Sequence, residues 1–202
     1  MKKISAVLLT AFIFIISIAP VNADSMIAPM SYEIEFEEQD LVFRMILENR
    51  YEFDRENSGL YVKSTGEKVY TVHEYYYEGD LYFSADRLSF AAMTWQETNE
   101  DKGIIFYNNG VMSYVPVTNL MKNLDAREYS SSHYSWEVYS KRVYDEKNST
   151  LSILTNDGIS YTFDIKDGRI IHMFEWKPVL ILLIVLGLGI GAAGLYYVMK
   201  KR

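Results

Sequence analysis

Cysteine is absent from all 202 residues. No disulfide can brace an exported domain of this chain, no lipid-attachment cysteine comes after its first apolar run, and thiolate zinc patterns are excluded. Histidine is scarce: His73, His133 and His172 stand far apart, without the spacing of metal ligands. No phosphate-cradling glycine loop, no G-x-S-x-G elbow and no LPxTG-type sorting motif occurs. No cofactor is expected on these grounds. Helical periodicity is nearly missing as well. Two long apolar runs, residues 4–19 and 179–199, carry no charge of either sign.

Those two stretches set the topology expected from the sequence. Met1-Lys2-Lys3 before an apolar run, Pro20 and Val21-Asn22-Ala23 has the form of a signal peptide over residues 1–23, cleaved after Ala23. An uncleaved anchor is the alternative, because the run is long for such a segment. Residues 178–199 are read as a transmembrane helix: at about 1.5 Å per residue the charge-free run crosses a hydrocarbon layer of roughly 30 Å. Trp176, Tyr196 and Tyr197 stand where aromatic rings meet headgroups, and Lys200-Lys201-Arg202 would stay cytoplasmic. The expected protein is single-pass, in the cell membrane, with residues 24–177 outside.

Charge divides accordingly. All 27 acidic residues lie between Asp24 and Glu175, whereas five of the 20 basic residues (Lys2, Lys3, Lys200, Lys201, Arg202) sit at the ends. The outer segment is strongly acidic, which repels nucleic acid and anionic headgroups. Nucleic acid is therefore not an expected partner. The membrane is, and another membrane protein or a surface ligand is the further possibility.

Within the outer segment the pattern is alternation. Tyr32, Ile34 and Phe36 alternate with Glu33, Glu35 and Glu37, and Leu41, Phe43, Met45 and Leu47 repeat it. Further β-rich runs cover residues 59–63, 68–73, 81–83, 88–95, 103–107, 111–117, 136–144, 150–155, 159–165 and 169–174. Turn signals such as Asn109-Gly110, Asp157-Gly158 and Asp167-Gly168 separate them. Only residues 119–125 read as a helix, capped by Thr118. The fold class is all-β: an antiparallel meander of about ten short strands, a sandwich or a partial-propeller-like stack, plus the one C-terminal helix.

Four groups of segments carry a resemblance. They are Ser58-Gly59-Leu60-Tyr61 with Val69-Tyr70-Thr71-Val72; Ile105-Phe106-Tyr107-Asn108-Asn109-Gly110; Ser130-Ser131-Ser132-His133-Tyr134-Ser135-Trp136; and Thr155-Asn156-Asp157-Gly158 continuing through Phe163-Asp164-Ile165-Lys166-Asp167-Gly168. Together they resemble a family of uncharacterised bacterial exported, membrane-anchored proteins with a β-rich outer domain. The resemblance implies fold and location, and no activity.

Candidate interaction residues are the run Tyr75-Tyr76-Tyr77, and His133 with Trp136. Tyr and Trp can fill a core or serve as stacking platforms for sugars and peptides. His133 beside three serines invites a nucleophile–base reading, but sequence neighbours do not make a triad, and a structural hydrogen-bonding role is expected. Glu33, Glu35 and Glu37 with Glu38 and Asp40 form a carboxylate face; calcium binding is the alternative to a solvated strand face, and the D-x-D-x-D loop is missing. Gly187, Gly191 and Gly194 fall on one helical face, where close backbone approach permits helix pairing. The expected function is a non-catalytic, membrane-anchored surface domain for binding or interaction. A tethered hydrolase acting on wall or surface polymer, and an accessory subunit of a membrane complex, are the alternatives.

Overall fold

The computed structural model describes residues 28–49, 52–93, 96–97, 101–129 and 133–200, without the side chains of 96–97, 188 and 190–200. The signal-like residues 1–23 lie outside the described residues. Alternating sequences become strands throughout. The first sheet is a meander of β1 (Tyr32–Phe36), β2 (Leu41–Met45), β3 (Gly59–Val62) and β4 (Lys68–Thr71). A second contains β5 (Leu81–Phe83), β6 (Ser89–Met93), β8 (Ile104–Asn108) and β9 (Val111–Val115). A third contains β12 (Val143–Asp145), β13 (Thr150–Leu154), β14 (Ile159–Asp164) and β15 (Ile170–Glu175). Beside them lies a small sheet of β10 (Glu128–Tyr129), β11 (His133–Ser135) and β7 (Gln96–Glu97), in the order β10-β11-β7. All pairings are antiparallel.

The second sheet is the centre of the stack. Every residue of β6 is buried, and so are Ile104, Ile105, Phe106 and Tyr107 of β8. Side-chain alternation sends Phe90, Ala92, Ile105 and Tyr107 into one cluster with Phe43, Leu60 and Tyr70 of the first sheet. It sends Ala91, Met93, Ile104 and Phe106 into another with Leu151, Ile153, Ile159, Tyr161 and Phe163 of the third. Rings lock the first layer: Phe90 stacks on Tyr107 at 4.7 Å between centroids and meets Phe43 edge-on at 5.3 Å.

One hairpin sequence recurs in this arrangement. Residues 54–71 and 145–162 align without a gap, with Asp54/Asp145, Asn57/Asn148, Ser58/Ser149, Leu60/Leu151, Tyr70/Tyr161 and Thr71/Thr162 identical. The aligned hairpins are β3–β4 and β13–β14. Here Leu60 and Tyr70 face the central sheet from one side, and Leu151 and Tyr161 face it from the other. The domain is a stack of three four-stranded antiparallel meanders, with the second sheet between the first and the third.

Two sequence expectations are corrected inside the domain. The helix over residues 119–125 is instead α1 (Val117–Leu120) and a separate 3-10 turn at Leu124–Ala126. The buried Asp157 carboxylate takes the backbone N–H groups of Lys122 (2.8 Å) and Asn123 (3.0 Å), which a continuing helix would have turned to its own carbonyls. Thr118 is not a cap, since its N–H donates to Asp101 at 2.9 Å. The run over residues 136–144 is broken as well. It holds an isolated bridge from Glu137 to Thr155, a 3-10 turn at Tyr139–Lys141, and strand only from Val143. Arg142 turns inward there to meet Asp80 and Glu137.

β15 continues directly into α2 (Trp176–Lys200). Among the described residues, no helix is long and apolar enough to cross a membrane. The helical backbone runs through Lys200, and side chains 180–186 are exposed.

Gly59 has φ +148°, and a Cβ there would lie 2.0 Å from the Tyr70 carbonyl oxygen, within the β3–β4 pairing. Gly66 has φ +72° but open space around it. Gly59→Ala should cost upwards of about 3 kcal/mol, Gly66→Ala about 1 kcal/mol, read as urea midpoints. Equal costs would defeat the account. Asp54 and Asp145 each accept a side-chain and a backbone hydrogen bond from Asn57 and Asn148, which hold both carboxyls below the usual carboxylate range. A lowered folded pKa gives stability that is present above the unfolded value and lost as pH falls through the folded one. The parent should therefore lose more stability between neutral pH and about pH 3 than Asn57→Ala/Asn148→Ala does, measured by urea melts at the two pH values.

Candidate functional site

The tyrosine run is built into the scaffold. Tyr76 is 2% exposed and packs edge-on against the stacked Phe90 and Tyr107 at 5.9 and 6.0 Å. Burial, then the neighbouring Tyr107, pushes its hydroxyl pKa well above the ordinary tyrosine value. Tyr75 exchanges hydrogen bonds with the Met30 backbone, accepting from its N–H at 3.0 Å and donating to its carbonyl at 2.9 Å. Tyr77 meets Tyr75 edge-on at 5.1 Å. The run thus fastens the start of the domain over the first core layer.

The second candidate group lies on the small sheet. His133 is buried in β11 opposite Glu97, and Trp136 is 2% exposed within the core between the second and third sheets. Residues 130–132 lie outside the described residues. Arg127 stacks over Tyr134 at 5.0 Å and over Tyr129 at 5.4 Å, and Tyr129 is exposed. Gly187, Gly191 and Gly194 all belong to α2, with open space around Gly187; the surroundings of Gly191 and Gly194 lie outside the described side chains.

The carboxylate face of β1 is partly paired by cations of its own sheet, two for three glutamates. Arg44 pairs with Glu33 at 2.9 Å and lies 4.8 Å over the Tyr61 ring. Lys63 pairs with Glu35 at 2.7 Å and with Glu37. Those bonds lower the Glu35 pKa and raise that of Lys63. Among the described residues no group of three or more His, Cys, Asp and Glu is placed to hold a metal ion.

A buried charged cluster was not singled out in the sequence. Arg142, 11% exposed on its side chain, lies between Asp80 at 2.6 Å and Glu137 at 2.8 Å, and its Nη1 also donates to the Tyr82 hydroxyl at 3.3 Å. Its guanidinium rests 4.4 Å over the Tyr139 ring. Burial works against its charge, but the bonds to Glu137 and Asp80 outweigh burial and hold it firmly protonated. The triad joins the segment entering β5 to the segment entering β12, so it clamps the second sheet to the third. A strand-like reading of residues 136–144 hid it, because Arg142 carries no local signal of burial. Its geometry is that of an ion clamp, one cation held by two carboxylates, with Glu137 Oε2 buried and without a hydrogen-bond partner.

Exposed apolar side chains mark a different surface. β9 carries no charge, ends at Pro116, and exposes Val111 and Tyr114. β15 exposes Ile170, Ile171 and Met173, and its one acid, Glu175, is at its end. Both are edge strands of their sheets.

Arg142→Met should cost about 3–5 kcal/mol, because it strands two buried carboxylates. The triple variant Asp80→Asn/Glu137→Gln/Arg142→Met should recover most of that loss in the same urea melts. A triple variant no better than Arg142→Met alone would show that the clamp is not electrostatic.

No family model, curated protein or solved structure matches the chain.

Proposed function

We propose that the chain is a membrane-anchored, non-catalytic surface protein whose outer β domain binds a partner. One observation carries the anchoring: residues 179–199 are free of charge, close on Lys200-Lys201-Arg202, and belong to an α-helix that leaves the domain without a loop. The signal-like residues 1–23 point the same way and put residues 24–177 on the outer side. The resemblance to bacterial exported, membrane-anchored proteins agrees with this reading.

The binding role is supported by how the domain uses its polar groups. Asp80, Glu137 and Arg142 are held in one clamp, Asp157 anchors backbone amides, and Tyr76 and Trp136 fill cores. Toward solvent there remains an acidic surface with two weakly charged edge strands, β9 and β15. Apolar side chains at open edges favour contact with another protein, and an accessory subunit of a membrane complex is the form of partnership this surface favours.

Protease added to intact cells should degrade residues 24–177 and leave a short membrane-bound fragment that begins near Trp176. Complete protection of the domain, with degradation only after lysis, would overturn the topology.

A further inference from the structure

We infer that the end of the domain around the β13–β14 turn is a membrane-contacting surface, seated in the lipid headgroup layer and held there by a rigid strand-to-helix junction. The inference rests on the proposed membrane anchoring.

The junction has no slack. Glu175 pairs with Ile159 in the β14–β15 ladder, and the next residue, Trp176, is already the first of α2. Its N–H donates to the Gly158 carbonyl at 3.0 Å, so the sheet hydrogen bonds run on into the start of the helix. Lys122 pairs with Glu175 at 2.5 Å, and Phe174 meets Trp176 edge-on at 4.9 Å. Lys122 is itself fixed, because its backbone N–H is held by Asp157. The turn at residues 156–158, Lys122 and the base of α2 therefore move as one body.

Length places that body. Only Lys177 and Pro178 separate Trp176 from the charge-free run beginning at Val179. Three helical steps are about 4.5 Å. The headgroup layer on each side of the hydrocarbon is roughly 5–7 Å thick. Trp176 and the atoms bonded to it thus lie inside that layer when residue 179 begins the hydrocarbon. Trp176 is 54% exposed, the position in which an indole sits well at a headgroup boundary. Lys122, 62% exposed on its side chain, is at the same level and can direct its ammonium to lipid phosphate. A flexible stalk would leave the domain free to tumble above the bilayer; this junction sets one orientation instead. The β3–β4 turn, with Thr65 and Gly66, belongs to the first sheet, two layers away.

Absence of cysteine makes the test direct. Full-length Lys122→Cys, Thr65→Cys and Leu183→Cys variants are spin-labelled and reconstituted in vesicles of phosphatidylethanolamine and phosphatidylglycerol. Collision with a water-soluble nickel chelate is compared with collision with oxygen. The label at 183 should report hydrocarbon, the label at 65 bulk water, and the label at 122 an intermediate depth, with chelate collisions several-fold below those at 65. Insertion of a Gly-Ser linker after Glu175 should bring the label at 122 to the value at 65. A label at 122 as accessible as that at 65, with 183 still in hydrocarbon, overturns the seated surface and leaves the anchor standing. A label at 183 in water overturns the anchor itself.

Discussion

Burial of the second sheet on both faces is the constraint on which the rest of the domain depends. A sheet covered on one side can place polar residues on the other, but β6 and β8 have no outer face. Each of their apolar residues must find an apolar partner in the first or the third sheet, while Ser89 is held by hydrogen bonds and Asn108 is exposed at the end of β8. The small Ala91 and Ala92 sit beside large aromatic rings, which allows both layers to close on the centre. With no disulfide anywhere, this double layer is the source of the domain's cohesion.

Two apolar layers fix distance well and register poorly, and the polar contacts at the seams supply the missing constraint. Arg142 with Asp80 and Glu137 joins the second sheet to the third; the Ala85 N–H donates to the Ser149 hydroxyl at 2.8 Å, and Lys166 pairs with Asp86 at 2.8 Å along the same seam. Each works only in one relative position of the sheets. A slide by one residue would leave buried charges unpaired, at a cost comparable to the whole stability of a small domain. The clamp therefore selects a register more than it adds stability.

Much of this was legible in the residues. Strands 81–83, 111–115 and 159–164 fall where period-2 alternation and Gly-containing turns put them, because a half-buried strand writes its own pattern. Less was legible where burial has two sides. Ser-Phe-Ala-Ala-Met and Ile-Ile-Phe-Tyr are continuous apolar runs, the signature of a covered sheet, yet nothing local tells which residue faces which neighbour. Residues 119–125 misled for a related reason. Their helical look is real, but Asp157, distant in sequence, claims the amides of Lys122 and Asn123. Of the candidate residues, Tyr76 and Trp136 answer to packing, a role their side chains share with stacking platforms and that only burial can separate.

One hairpin design is used twice in the stack. Residues 54–71 and 145–162 keep the same Asp–Asn turn, the same buried serine and the same inward leucine and tyrosine, yet they close on the central sheet from opposite sides. Equivalent hairpins need equivalent surfaces to pack on, and the central sheet provides them by presenting apolar side chains on both faces. The two copies diverge beyond their second strands. β4 leads to the Tyr75–Met30 fastening at the start of the domain, whereas β14 is extended by β15, which feeds α2. One hairpin closes the stack and the other carries it to its helix. The helix therefore joins the domain at a hairpin already fixed by a buried core, which is why its base can be rigid without a disulfide or a linker.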